Sequence, residues 1–182
     1  MARLFTALIP PAEALDDLAG ALAGVGSEAS TLRWSTREQW HITLGFFGDA
    51  DDPEQRIPWL HARVSGLAAP ELRLAGVGSF PGVLWVRASP ADEHATGQLL
   101  SVAEAAGASH AGKRRPFRPH LTIARWKRAP GIARVAASVA EALAGYRGPS
   151  WRPADVALIR SQPGPEGHSY QVLSRAELRS VN

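Results

Sequence analysis

The sequence predicts an α+β protein, with helices packed outside antiparallel sheet, and three observations carry that expectation. Short runs rich in Leu, Ile, Val, Thr and aromatic residues recur as strand signals, as at 3–9, 83–88 and 154–160. Between them, apolar residues fall at helical spacing, as in Leu15, Leu18, Leu22 and Val25, and again in Ile132, Val135, Val139 and Leu143. One strand-like pattern is also stated twice, once in each half of the 182-residue chain: His41-Ile42-Thr43-Leu44 and His120-Leu121-Thr122-Ile123.

In chain order, strand 3–9 ends at Pro10-Pro11, and a helix over 12–25 meets stop signals at Gly24 and Gly26. A short strand at 31–34 precedes a turn opened by Ser35 and Thr36, and the first motif strand runs over 40–47 to Gly48-Asp49. Pro53 opens a helix whose stripe is Ile57, Leu60, Val64 and Leu67, bent near Pro58. Strands 71–77 and 83–88 form a hairpin about Ser79-Phe80-Pro81-Gly82. Ser89 then reads as the N-cap of a helix, with Pro90 in its first turn and Asp92 three residues on, ending near Ala106-Gly107. Pro119 biases Arg118 away from helix and delivers the second motif strand, 119–125, in extended form. The helix marked by Ile132 to Leu143 closes at Gly145 and Gly148. Strands 154–160 and 169–175 are separated by the turn Gln162-Pro163-Gly164-Pro165-Glu166-Gly167.

Composition narrows the function classes. A hydrophobic content of 45% supports a packed interior, and residues 1–182 are expected to form one domain. The absence of cysteine excludes disulfides, thiolate metal sites and a cysteine nucleophile, and fits a reducing compartment. No apolar run approaches the roughly 18 residues of a membrane span, and no signal peptide is read, so a cytoplasmic protein without a membrane partner is expected. The net charge of +3 is unevenly spread. Lys113, Arg114, Arg115, Arg118, Arg125, Lys127 and Arg128 form an acid-free basic run around the second motif. Such a run is either a solvated loop or a rim that attracts phosphate.

Side chains two apart on a strand share a face, so each motif presents an imidazole and a hydroxyl together. Two imidazoles facing one phosphate can divide general acid and general base work, because each titrates near neutrality. Two threonine hydroxyls can donate to the non-bridging oxygens, and water suffices as nucleophile. At these residues the chain resembles the two-histidine (2H) phosphoesterases, and among them the RNA 2′,3′-cyclic phosphodiesterases, also called 2′-5′ RNA ligases. The resemblance rests on Arg3-Leu4-Phe5-Thr6-Ala7-Leu8, His41-Ile42-Thr43-Leu44-Gly45-Phe46-Phe47-Gly48, Arg115-Pro116-Phe117-Arg118-Pro119-His120-Leu121-Thr122-Ile123-Ala124-Arg125 and Tyr170-Gln171-Val172-Leu173. Thr6 departs from the Phe common at its place.

The resemblance implies two pseudo-symmetric, intertwined lobes of antiparallel sheet with outer helices and an active-site cleft between them. It implies hydrolysis of RNA 2′,3′-cyclic phosphate ends or cyclic nucleotides, without metal, cofactor or obligatory protein partner, and with reverse 2′-5′ ligation as a further activity. By the same resemblance His41 is the proton donor to the leaving oxygen and His120 the proton acceptor from water. Thr43 and Thr122 hold the phosphoryl oxygens. The motif itself is symmetric and fixes neither histidine as the acid.

Arg125 is read either as a phosphate ligand or as a surface arginine, since strict alternation sends it to the face opposite His120 and Thr122 unless the strand ends or bulges there. The same alternation aims Phe47, not Phe46, into the cleft, and core burial is expected of both rings. His61 is expected to pack on its helix, and His94, His110 and His168 to be surface histidines; the six tryptophans are expected to serve core packing. Two other function classes fit some of these residues: a metallohydrolase using His41 and His120 as ligands, and a non-catalytic RNA- or nucleotide-binding module.

Overall fold

The strand and helix signals resolve into nine strands and four helices in a computed structural model that describes residues 3–25, 30–48, 51–108, 117–127, 129–164 and 167–180. His110, Lys113, Arg114, Arg115 and Arg128 lie outside the described residues. In order, the elements are β1 (Arg3–Leu8), α1 (Ala12–Ala23), β2 (Arg33–Trp34), a 3₁₀ turn (Arg37–Gln39), β3 (Ile42–Gly48), α2 (Pro53–Val64), β4 (Leu72–Phe80), β5 (Val83–Pro90), α3 (Glu93–Ala105), β6 (His120–Arg125), α4 (Ile132–Ala142), β7 (Arg147–Trp151), β8 (Asp155–Gly164) and β9 (Gly167–Glu177). None of the described helices is long and apolar enough to cross a membrane.

The strands hydrogen-bond in the order β7-β4-β5-β6-β3-β1-β8-β9, with β2 added beside β6 and every ladder antiparallel. The order divides into two four-stranded halves, β7-β4-β5-β6 and β3-β1-β8-β9, each with one motif strand at its inner edge. They meet at a single residue pair, Ile42 opposite Leu121. Helices α1 and α4 pack against the first half and α2 against the second, while α3 contacts both β3 and β5. The α+β architecture with helices outside antiparallel sheet is therefore the one observed.

The main core lies between these helices and the sheet, where Leu8, Leu18, Ile42, Leu60, Leu72, Leu84, Leu99, Leu121 and Leu158 are all fully buried. On the sheet's other face a small cluster of Phe5, Ala7, Ala157 and Ile159 packs with Ile9 and Tyr170.

Three local expectations are corrected. Gly148 does not close a helix but lies within β7; as the last strand of the sheet β7 pairs only with β4, and an edge tolerates the missing donor of Pro149. Ser89 and Pro90 are not a helix start but the end of β5, where Pro90 pairs with Leu72; Asp92 is the N-cap, accepting from the Ala95 amide at 2.7 Å. The last hairpin is longer than its Pro/Gly content suggests, with Pro163 and Gly164 still paired.

A buried polar contact ties β1 and β3 to the end of α3. Thr6 is fully buried; its hydroxyl accepts from the Gly45 amide at 2.9 Å and donates to the Ala106 carbonyl at 2.7 Å. A Cβ on Gly45 would lie 2.4 Å from that same carbonyl oxygen, so β3 can approach the end of α3 only as glycine. Gly45→Ala should cost about 1–3 kcal/mol in urea denaturation, the usual range for overpacking against atoms that cannot yield. Gly20→Ala, on α1 with nothing near the new methyl, should instead gain roughly 0.5–1 kcal/mol. Equal stability of Gly45→Ala and the parent would contradict the close approach.

Candidate active site

The Ile42–Leu121 rung decides where the motif side chains go. Both residues are 0% exposed, which puts their neighbours on the opposite, open face. Carrying the antiparallel register one residue to either side brings His41 across from Thr122 and Thr43 across from His120. The motif therefore pairs with itself about a local twofold, and the two imidazoles and two hydroxyls share one face.

A bulge follows each threonine. In β3 the pairing with β1 skips Leu44, and in β6 the pairing with β5 skips Ile123. Each bulge leaves two consecutive buried residues, Leu44-Gly45 and Ile123-Ala124, and turns the next residue back to the open face. Those residues are Phe46 and Arg125. Arg125 thus lines the cleft, although strict alternation alone sends it to the opposite face. The expectation for the phenylalanines holds in part: Phe47 packs against the core as expected, edge-on to Trp59 and under the Arg56 guanidinium, whereas Phe46 is not buried but 44% exposed, and it is Phe46, not Phe47, that turns to the open face.

His41, Thr43, His120, Thr122 and Arg125 all line one cleft of about 180 Å³. Each histidine is held in the same way. His41 Nδ1–H donates to the Gln39 carbonyl at 2.7 Å, and His120 Nδ1–H donates to the Arg118 carbonyl at 2.6 Å. A carbonyl can only accept, so each bond fixes the proton on Nδ1 and leaves Nε2 for chemistry. Each ring is also braced by aromatics. His41 lies 4.9 Å from Phe5 and 5.1 Å, edge-on, from Tyr170; His120 lies 5.3 Å from Phe80 and 6.1 Å from Trp85.

Sequence reasoning missed several residues of this cleft. Arg33, Trp34 and Ser35 arrive through β2, where Arg33 pairs with Arg125 beside β6. His168, expected as a surface residue, lines the cleft together with Tyr170, and its Nδ1 is 2.9 Å from Ser161 Oγ. Gln39 lines it too, and here a signal existed. Thr36 and Gln39 form a capping box around the 3₁₀ turn, and the Gln39 side chain also donates to the His168 carbonyl at 3.0 Å. The turn that orients His41 is thereby pinned to β9. His61 hydrogen-bonds Ser174 and His94 lies near Gln98, both away from the cleft. Trp40 and Trp151 are buried, as expected of core tryptophans. Among the described residues no three His, Cys, Asp or Glu side chains gather as metal ligands.

Burial pushes the His41 pKa down to about 4, with the charges of Arg125 and His120 adding to the effect and the Gln39 carbonyl opposing it. His41 is therefore neutral in the free protein at neutral pH. A unit negative charge about 4 Å away, at an effective dielectric constant of about 20, is worth about 4 kcal/mol, or about 3 pKa units. An anion bound in the cleft is strong enough to return a proton to this imidazole.

Comparison with known proteins agrees with the geometry. Residues 8–165 match the family model described as the 2′-5′ RNA ligase superfamily. The chain is 32% identical over 194 residues to an RNA 2′,3′-cyclic phosphodiesterase of Thermus thermophilus, covering 97% of this chain and 90% of that one. A crystal structure of a protein from the same species superposes with a TM-score of 0.68 at 28% identity, covering 99% of this chain and 100% of the other. Escherichia coli LigT complexed with 3′-AMP superposes with a TM-score of 0.73 at 21% identity over 97% of each chain, a likeness of fold.

The depressed His41 pKa has a sign that can be measured. Between the unfolded value near 6.5 and the folded value near 4, the unfolded chain binds the extra proton, so stability is full above pH 6.5 and falls as pH drops through this window. The loss should be roughly 3 kcal/mol by pH 4, and His41→Phe should flatten it. Imidazole NMR should find His41 neutral at pH 6 in the free protein, with its titration moved upward by inorganic phosphate. A His41 midpoint near 6.5 that phosphate does not move would contradict both statements.

Proposed function

The chain belongs to the 2′-5′ RNA ligase superfamily, and from that premise we propose that it hydrolyses RNA 2′,3′-cyclic phosphate ends to 2′-phosphomonoesters by metal-independent acid–base catalysis. The observation that carries this reading is the meeting of two His-Thr pairs on one open face, each imidazole with its Nδ1 proton tied to a carbonyl. That arrangement suits a phosphodiester, which needs one proton removed, one delivered, and its equatorial oxygens held.

In the proposed reaction, His120 Nε2 takes a proton from water as the water oxygen attacks phosphorus. The bond from phosphorus to the 3′ oxygen breaks, and His41 Nε2–H gives that oxygen its proton. The products are a 2′-phosphomonoester and a free 3′ hydroxyl, with His120 protonated and His41 neutral until solvent exchange resets them. Thr43 and Thr122 donate to the non-bridging oxygens, and Arg125 adds its charge. The free protein's neutral His41 suits a base better than an acid, so its acid role depends on the proton that the bound anion returns. With a 5′ hydroxyl in place of water, the same steps give reverse 2′-5′ ligation.

His41→Ala and His120→Ala should each lower turnover of a 2′,3′-cyclic phosphate RNA end by roughly 10²–10⁴-fold. EDTA should leave the rate unchanged; activity restored only by zinc would favour the metallohydrolase, and no turnover by the parent would favour a binding module. A substrate with a far more acidic 3′ leaving group should rescue His41→Ala but not His120→Ala. Rescue of His120→Ala instead would exchange the two roles, and a 3′-phosphate product would overturn the proposed orientation.

A further inference from the structure

A shallow trough of about 440 Å³ lies over the outer strands of the first half of the sheet, and its floor follows from the register. His120 pairs with Arg87 of β5, a bulge sets Ala75 and Gly76 of β4 opposite Arg87, and Ala75 pairs with Arg147 of β7. One row thus runs from the second motif histidine to the edge of the sheet as a cation, two small residues and a second cation. The neighbours of Arg87 and Arg73 along their strands, Val86, Ala88, Leu72 and Leu74, are buried in the core, so both arginines take the open face. Arg73 lies one row further on and donates to Ser150 Oγ of β7 at 2.6 Å. Gly76 keeps the floor low at φ +73°, a conformation that favours glycine. Tyr146, whose hydroxyl donates to Asp17 of α1 at 2.8 Å, forms a wall. Arg87 and Arg147 are exposed, and no acidic side chain lines the trough among the described residues.

The matching face of the second half differs in kind, for there Phe5, Ala7, Ala157 and Ile159 pack with Tyr170 as an apolar cluster. A polyanion leaving the cleft along the sheet meets positive charge on one side and hydrocarbon on the other. Neighbouring strands are about 4.8 Å apart, which puts Arg147, three strands away, roughly 14 Å from His120. A mononucleotide held in the cleft does not span that distance, and a longer strand does. We propose that the trough is a backbone subsite for single-stranded RNA, in which Arg147 and Arg73 take phosphates more than one nucleotide upstream of the cyclic phosphate. The small residues of its floor carry no donors or acceptors for base edges, so it recognises the backbone and not the sequence. This rests on the phosphodiesterase reading and adds to it a preference for oligomers and the direction in which the strand crosses the sheet.

The test compares a single-stranded oligoribonucleotide ending in a 2′,3′-cyclic phosphate with adenosine 2′,3′-cyclic monophosphate, on the parent protein, Arg147→Gln and Arg147→Lys. Arg134→Gln, which removes an exposed cation of α4 outside the trough, is the control for net charge. The parent should show the lower KM for the oligomer. At low salt Arg147→Gln should raise that KM about 2- to 5-fold, the scale of one exposed ion pair, with kcat and the mononucleotide KM unchanged. Arg147→Lys should recover most of the loss. Fluorescence anisotropy with the same oligomer ending in a 2′-phosphate should show a slope of log K against log salt that is shallower by about 0.7 in Arg147→Gln, one phosphate contact fewer. No preference for the oligomer, an equal change for both substrates, or an equal effect of Arg134→Gln would each overturn the subsite. Oligoglutamate bound as tightly as the RNA, and weakened as much by Arg147→Gln, would mark a general anion patch and overturn it too. If the parent hydrolyses neither substrate, the phosphodiesterase reading falls and the anisotropy still decides the trough: a shallower slope in Arg147→Gln but not in Arg134→Gln supports it, and equal slopes overturn it.

Discussion

One cross-strand rung, Ile42 against Leu121, joins the two halves of the sheet, and the geometry of the cleft depends on it. Both side chains are driven into the core by burial of apolar surface, and the pleat then leaves His41, Thr43, His120 and Thr122 no face but the open one. A one-residue slip would turn all four inward and expose the two aliphatic residues, so the register is strongly specified. Because the rung is antiparallel, the motif meets its own copy. This is the physical content of the pseudo-symmetry: two like local patterns, paired once, bring two imidazoles and two hydroxyls to one face.

The orientation of each imidazole is set by backbone. The carbonyls of Gln39 and Arg118, each two residues before its histidine, fix the Nδ1 proton without spending a side chain on it. The surroundings then make the two unlike. Phe5 and Tyr170 enclose His41 deeply enough to hold it neutral, while His120 stands at the junction of two cavities. A symmetric motif in asymmetric surroundings is how similar groups come to serve as acid and base.

The His-Thr pairs are legible in the sequence because the spacing of two is itself a statement about a strand face. Arg125 and Phe46 are not, because their direction depends on bulges at Leu44 and Ile123, and a bulge is decided by how neighbouring strands pair. Tyr170 and His168 are hidden for a related reason. They reach the cleft only because β9 lies beyond β8 and the capping-box turn reaches across to it, an adjacency that no local pattern records. β7 is masked by its Gly148 and Pro149, residues that argue against a central strand but are compatible with the edge it occupies. The helices and most strands, by contrast, follow from periodicity, since burial of one face fixes both the period and the element.

The claim on which the rest stands is that both His-Thr pairs act on one phosphate. A crystal structure of the protein with inorganic phosphate or a 2′-phosphorylated nucleoside bound tests it most directly. The account predicts a single phosphate between the motifs, with Nε2 of both His41 and His120 and the hydroxyls of both Thr43 and Thr122 within hydrogen-bond reach, about 2.6–3.2 Å. A phosphate held by one pair alone, or seated outside the cleft, would contradict it.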